Sequence, residues 1–394
     1  MRILIIGFAY SIHTARWIEM INDQGWDIHL FPSCFEELLH KDLKNITLYQ
    51  TFYAKNKNLD KSVKRKGIYL HSDFLVKGLF FMIRRFLPNF YRKFQIKKVT
   101  KIIKKIKPDI VHSFEFQQAG YLINEVYKKF PGKFPKWLAS NWGSDIYLFG
   151  QLKKHKERIR EVLESCNFYL CESERDQKLA KKYGLKGKTL PIIPAAGGHH
   201  LEKIQKWKTE NQKERTIIML KGYQGWAGRA LVGLRALERC SDLLKNYKIV
   251  MYSISSYEDM EIATELFSNH TGIEIELLPP FVSHEEIMKL HGKARISLGL
   301  SISDGLPASF LEAMSMGAFP IQSWTSTANE WVEDGKSAFL VPPEDPEIIE
   351  RAIRKALTND TLTKNAALIN WKIAQQRLDF KNIKKTVIDF YKTM

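Results

Sequence analysis

Four cysteines, Cys34, Cys166, Cys171 and Cys240, are all that the 394 residues contain. No two of them form a Cys-x-x-Cys pair, and no histidine sits at ligand spacing from them. This excludes a disulfide framework and a cysteine-based zinc site, and fits buried thiols in a reducing compartment. No apolar run approaches the roughly 20 residues that a membrane-spanning helix needs. The opening, MRILIIGFAYS, has one charge and then a strand-like apolar run, without a small-residue cleavage site. A first buried strand is expected there rather than a secretory signal, and the protein is expected to be cytoplasmic. Repeats and low-complexity tracts are missing as well.

Acidic residues are scarce in one window. Residues 41–107 hold 19 Lys and Arg against three Asp and no Glu, so most of the net charge of +18 is concentrated there. Inside it, KGLFFMIRRFLPNFYRKF (77–94) interleaves aromatic and basic residues. One reading is a segment for an anionic membrane surface, where each Lys or Arg contributes about 1 kcal/mol. The other is a helix with an aromatic stripe facing the core and a solvated basic face. Basic charge also attracts phosphate without discrimination, but no RNA- or DNA-binding motif accompanies it, so no nucleic-acid partner is expected.

What is present is an ordinary globular composition, 44% hydrophobic and 26% charged, in a chain long enough for two cores. Short apolar runs alternate with helical patterns: RILIIGF, DIHLFP, DIVHSF, KWLASNW and NFYLCES in the first half, TIIML, YKIVMYS, IEIELLP and RISLGLSIS in the second. Such alternation predicts α/β structure with parallel sheets covered on both faces. Between the halves the pattern breaks into Pro, Gly, His and charge. The expected organisation is a Rossmann-like domain over 1–195, with the basic window 41–107 as an insertion, a linker over 196–213, and a second Rossmann-like domain over 214–370. Helices over 371–394 are expected to pack back on the first domain. Two doubly wound domains facing across a cleft place the carboxyl ends of both sheets toward it, where open α/β sheets bind ligands.

The stretch SDGLPASFLEAMSMGAFP (303–320) carries the most chemistry. If the run before it is a buried strand, Asp304 and Gly305 lie just past its carboxyl end, and Gly305 lets a ligand approach the backbone. Pro307 suits the first turn of a helix, whose free N–H groups and dipole attract an anion such as phosphate. Glu312 lies about one turn further, where a carboxylate can accept hydrogen bonds from two vicinal hydroxyls. Phosphate at the helix mouth and hydroxyls one turn in would hold a nucleotide diphosphate-sugar. The plainer alternative makes Asp304 a helix cap and Glu312 an exposed helix residue.

With the residues that follow it, this stretch resembles the donor-binding region of the retaining glycosyltransferases of family 4, in the group 1 superfamily with the two-domain GT-B fold. That family's pattern is Glu-x7-Glu followed by Ala-Met-x-x-Gly. Here Asp304 and Glu312 have the spacing, and Gly317, Pro320, Gly335 and FLVPPEDPE follow in order. The likeness covers most of 214–360 and continues more weakly through SIHTARW, KPDIVHS, GSDI and VLESCNFYLCESE. It implies that Asp304 touches the donor sugar, that Glu312 binds the ribose, and that the backbone from Gly305 through Leu306, Pro307 and Ala308 to Ser309 lies along the phosphates. Asp304 departs from the family's Glu by one methylene, which bears on the choice of sugar. The family's Arg and Lys that grip the diphosphate have natural replacements in Lys221 and Arg229, whose charge would offset that of the leaving group.

In the first half, Ser11 and His13 occupy the first strand-to-helix turn and could line the cleft as an acceptor site, as could Asp145. His112 ends a strand where the family often carries a histidine near the donor sugar; a structural histidine explains it equally. Trp142 stands where the family loop usually has its own histidine. No Asp-x-Asp pair occurs, and His199-His200 lack a third ligand, so neither a metal site nor a cofactor is expected. The resemblance implies a retaining, metal-independent transfer of sugar from a nucleotide diphosphate-sugar to a glycan hydroxyl. The basic window fits a lipid-linked acceptor in bacterial surface polysaccharide or cell-envelope assembly, at the inner face of the plasma membrane. A nucleotide-sugar epimerase of the same fold and a non-catalytic nucleotide-sugar or membrane-binding protein remain the alternatives.

Overall fold

The computed structural model describes residues 1–34, 39–55, 59–86, 88–280 and 282–394, with the side chains of Asp73, Phe80, Arg84 and Pro88 outside the description. The chain divides into two units, Met1–Gly197 with Ile383–Met394, and Gly198–Asn382.

The first unit is built on β1 (Arg2–Gly7), β2 (Asp27–Pro32), β3 (Thr47–Tyr53), β4 (Lys64–Tyr69), β5 (Ile110–Phe114), β6 (Lys136–Ser140), β7 (Phe168–Leu170) and β8 (Lys188–Thr189). They form one sheet in the order β4-β3-β2-β1-β5-β6-β7-β8, with every pairing parallel. Ile3, Leu4, Ile5 and Ile6 are all fully buried, because helices cover both faces and leave β1 no polar side. The order turns between β1 and β5, where Ile5 pairs with His112.

The second unit has β9 (Ile217–Lys221), β10 (Lys248–Tyr252), β11 (Ile275–Leu277), β12 (Ala294–Gly299), β13 (Phe319–Ser323) and β14 (Phe339–Val341). Their order, β11-β10-β9-β12-β13-β14, is all parallel and is that of the doubly wound dinucleotide fold. Leu220, Leu298 and Ile321 pack on Leu234, Leu237 and Ile353 on one face. Met219, Val250 and Ala294 pack with Ala313 on the other. The strand order reverses between β9 and β12, so the crevice beyond their carboxyl ends is the place where this architecture binds ligands.

The basic window proves to be structured. Of it, 56–58 and Leu87 lie outside the described residues. Two strands, β3 and β4, extend the first sheet, and the charged edge sequence KRKGIY explains why β4 does not read as a strand: lysine on an edge blocks further pairing. The aromatic stretch forms two helices, Asp73–Phe86 and Pro88–Ile106, rather than one, as the stop before a proline favours. At the chain's end, Tyr391 is buried in the first unit, where its hydroxyl lies 3.0 Å from Trp17 Nε1.

Candidate functional site

In the second unit, β12 runs out at Gly299 and a loop leads to the helix Ala308–Met316. The loop after β9 lies against it: Arg229 N donates to Leu300 O (3.0 Å) and Ile302 N to Ala227 O (2.9 Å). Within the loop after β9, Gly228 lets the chain fold back on itself, since a Cβ there would stand 2.1 Å from the Tyr223 carbonyl oxygen. The other side is held by Thr327 N, which donates to Gly305 O at 2.9 Å. The strand ends at the switch point therefore converge around 303–309.

Pro307 is the N-cap of the helix, and as a proline it offers the first turn no side-chain hydrogen bond. Asp304 is not the cap; its Oδ1 accepts from its neighbour Gly305 N (2.9 Å), and its Oδ2 lies 3.9 Å from Lys221 Nζ. Lys221, the last residue of β9, also stands 5.4 Å from the centre of the Tyr223 ring. Burial, and secondarily the Asp304 carboxylate, pushes the Tyr223 hydroxyl above its ordinary pKa. An uncapped helix end with a lysine beside it is an anion site in charge and in hydrogen-bonding capacity.

Glu312 is 7% exposed, so the plainer alternative of a solvent-facing helix residue does not hold. Its Oε1 lies 2.8 Å from Nε2 of His284. Around this pair lies a buried polar set: the Tyr252 hydroxyl beside those of Ser309 and Ser297, and the His291 ring, neither of whose nitrogens has a hydrogen-bond partner among the described residues. Burial pushes His291 down to about 4, against the raising influence of Glu312, so the ring is neutral. The Tyr252 hydroxyl is pushed up, first by burial and then by Glu312. A buried ring nitrogen without a partner costs free energy unless something satisfies it, and here the His291 ring lies with these hydroxyls near the Glu312 carboxylate.

Arg229 is otherwise engaged. Its Nε donates to Glu344 Oε1 at 2.8 Å, and Nη1 meets the carbonyl oxygens of Gly225, Ala227 and Gly228. Its guanidinium thus braces the loop that positions Lys221. Leu306 is buried against Phe310 and Leu311, which anchors the loop to its helix.

In the first unit, Ser11 caps the helix Ile12–Ile21, its Oγ accepting from His13 N at 3.2 Å. The His13 ring lies 5.5 Å from the Trp142 ring, which lies 5.3 Å from Phe114. His112 is fully enclosed, with Nδ1 2.6 Å from the Tyr391 hydroxyl and Nε2 2.6 Å from Ser140 Oγ. Both ring nitrogens are taken, which leaves none for a substrate in this arrangement. Asp145 is buried too, accepting from Trp142 N (2.8 Å) and Phe116 N (3.0 Å), so it ties two loops together. Beside it sits Glu115, in a left-handed conformation (φ 67°), accepting from Gln118 N and Ala119 N. Burial raises Glu115 to about 7, and burial with the nearby Glu115 charge holds Asp145 well above the carboxylate range.

Sequence reasoning missed His284, Tyr252 and His291. The only local signal is Ser283-His284-Glu285-Glu286, a helix start in which Ser283 Oγ accepts from Glu286 N. Nothing in it points to a residue 28 positions away. Among the described residues, no group of three or more His, Cys, Asp and Glu is arranged to hold a metal ion. No helix among them is long and apolar enough to cross a membrane.

Two family models match the chain: "Glycosyl transferases group 1" over residues 202–370, and "Glycosyl transferase 4-like" over 77–171. A search of curated proteins finds no match. Among solved structures, a sucrose-phosphate synthase from Thermosynechococcus elongatus superposes with a TM-score of 0.70 at 13% identity, covering 100% of this chain and 98% of its own. Anabaena HepE, solved in complex with UDP, gives 0.69 at 14% identity with both chains covered in full. A Rickettsia africae glycosyltransferase gives 0.66 at 17%, covering 100% and 98%. These likenesses establish the GT-B fold. With family matches over 202–370 and 77–171, which together span more than half its length, the chain belongs to the group 1, family 4-like glycosyl transferases and is a glycosyltransferase.

Proposed function

We propose that the protein transfers a sugar from a nucleotide diphosphate-sugar to a hydroxyl of a glycan, with retention of anomeric configuration and without a metal. The observation that carries this is the uncapped N-terminus of the helix Ala308–Met316, with Lys221 beside it and buried Glu312 within the same helix. In this reading the diphosphate lies along Gly305–Ser309, Glu312 accepts hydrogen bonds from the ribose hydroxyls, and Asp304 meets the sugar. As the bond from the anomeric carbon to the diphosphate oxygen breaks, that oxygen gains charge, which Lys221 and the helix dipole stabilise. The acceptor hydroxyl attacks from the same face, its proton passing to the leaving phosphate, so no protein base is needed. HepE, solved with UDP and with UDP-glucose, supports a uridine nucleotide as the first donor to test. Ser11 and His13 are proposed to meet the acceptor. A lipid-linked glycan in surface polysaccharide or envelope assembly, reached at a membrane surface, is proposed from the basic and aromatic residues of the window 41–107.

The test is calorimetric titration with UDP, GDP and ADP in the presence of EDTA. One nucleotide is expected to bind, with Glu312→Ala weakening it by about 1.5–3 kcal/mol, the range of hydrogen bonds to a charged group. Lys221→Ala is expected to lower kcat about 100-fold or more, as for removal of one donor to a developing anion. If no nucleotide binds without metal, or neither substitution matters, the site assignment is wrong. Turnover of the donor to an isomer without an acceptor would instead identify an epimerase.

A further inference from the structure

The described side chains of the helix Asp73–Phe86 bury little of their apolar surface. Among these described side chains only Val76 is enclosed, in a small cluster with Ala54, and Ile83 is half-buried. Leu75, Leu79, Met82 and Phe86, spaced along one line of the helix, are all exposed. So are Phe74 and Phe81, 81% and 69% exposed and seven positions apart on a second line. At the start of Pro88–Ile106, Phe90 and Phe94 are exposed as well. Soluble chains rarely leave so many large apolar side chains in water without a partner for them. Lys77, Arg85, Lys93 and Lys97, all exposed, are interspersed among them.

We infer that this pair of helices is an interfacial anchor that inserts its aromatic and aliphatic side chains into an anionic lipid surface. Length argues for insertion parallel to the surface. At about 1.5 Å per residue a 14-residue helix is roughly 21 Å long, short of the ~30 Å hydrocarbon core, so it lies in the headgroup boundary. Charge selects the occupant. A second copy of the chain would bring the same excess of cations, 19 Lys and Arg against three Asp over 41–107, and be repelled. A nucleic acid would match the charge but has no use for Leu75, Leu79 and Met82, which stack on nothing. An anionic bilayer satisfies both the cations and the apolar stripe. The inference deepens the membrane part of the proposed function and is independent of the donor site.

The experiment is co-sedimentation of the full chain with vesicles of phosphatidylcholine alone and of phosphatidylcholine mixed with phosphatidylglycerol, at low and high salt. Two variants accompany it: Leu79→Ser/Met82→Ser/Phe86→Ser and Lys77→Glu/Arg85→Glu. All five side chains are exposed, so both variants should fold, which circular dichroism and an unchanged UDP titration verify. The wild type is expected to bind the anionic vesicles and to keep part of that binding in high salt, because apolar insertion is not screened. Each variant is expected to bind at least about tenfold more weakly, the first through lost insertion and the second through lost attraction. The inference is overturned if the wild type ignores both vesicles, if high salt releases it fully and the serine variant binds as well as wild type, or if it instead dimerises through this face or binds RNA in preference to lipid. Loss of vesicle binding with UDP binding intact would leave the donor-site reading standing, and the converse would leave the anchor standing.

Discussion

At the scale of single residues, the pairing of His284 with Glu312 is what converts a helical glutamate into a fixed acceptor. A buried carboxylate that already has one donor keeps its second oxygen oriented for another, at less cost in side-chain freedom. We expect His284→Ala to raise KM for the donor about tenfold, the worth of one charge-assisted hydrogen bond, with little change in kcat. His284→Asn, which can still donate, is expected to recover part of the loss; equal defects in both variants would reduce His284 to a packing role. A second residue-scale expectation concerns Glu115. Its native pKa of about 7 lies above the ordinary value of 4.5, so the folded form binds more protons between those values. Stability therefore falls as pH rises from about 4.5 through about 7, and the loss is complete above that. Glu115→Gln should flatten this slope, gaining in Tm relative to wild type at pH 8 more than at pH 5. An unchanged slope in paired melts would show that Arg92 and the backbone donors keep Glu115 ionised.

Among the elements, the helix Ala308–Met316 ends as specifically as it begins. Gly317 adopts the left-handed conformation (φ 81°), and a Cβ there would stand 2.8 Å from Arg215 Nη2. That guanidinium in turn holds the carbonyl oxygens of Met316 and Ala294 at 3.0 Å, fastening the helix to the start of β12. The glycine of the family pattern thus has a local physical cause. Gly317→Ala is expected to destabilise by about 1–3 kcal/mol, the cost of a non-glycine residue in this region together with displacement of Arg215. Urea unfolding monitored by circular dichroism measures it, and a change near zero would mean that the backbone relaxes.

For the whole molecule, the distribution of the donor-site residues is the informative fact. Lys221, Arg229, Glu312, His284 and the loop 303–309 all belong to Gly198–Asn382, which has its own six-stranded sheet and its own core. A fragment of these residues is expected to fold and to bind UDP within about tenfold of the full chain, since cores of this size are independently stable. Calorimetry on the fragment checks this, and a folded fragment without affinity would mean that nucleotide binding draws on the other unit.

Much of this was legible in the sequence, for reasons that can be named. Fully buried strands such as RILIIG have no polar face, and the alternation with helical patterns implies parallel sheets. The loop 303–309 could be found because an apolar strand, a glycine and a helix start stand next to one another, all within the reach of local propensity. Other features required the chain to return on itself. Glu312 meets His284 only because β11 and the helix after it bring position 284 back to the mouth of β12. His112, expected to end a strand, lies in the middle of β5 instead, and Tyr391 from 279 residues away closes over it. The charged strand β4 forms because β3 offers it an edge, and Phe74, Leu75, Leu79, Phe81, Met82 and Phe86 stay exposed, which their apolar character alone does not foretell. Propensity and periodicity act over a few residues and determine the elements; which side chains end up in contact, enclosed or bare is decided by packing between residues the sequence keeps apart.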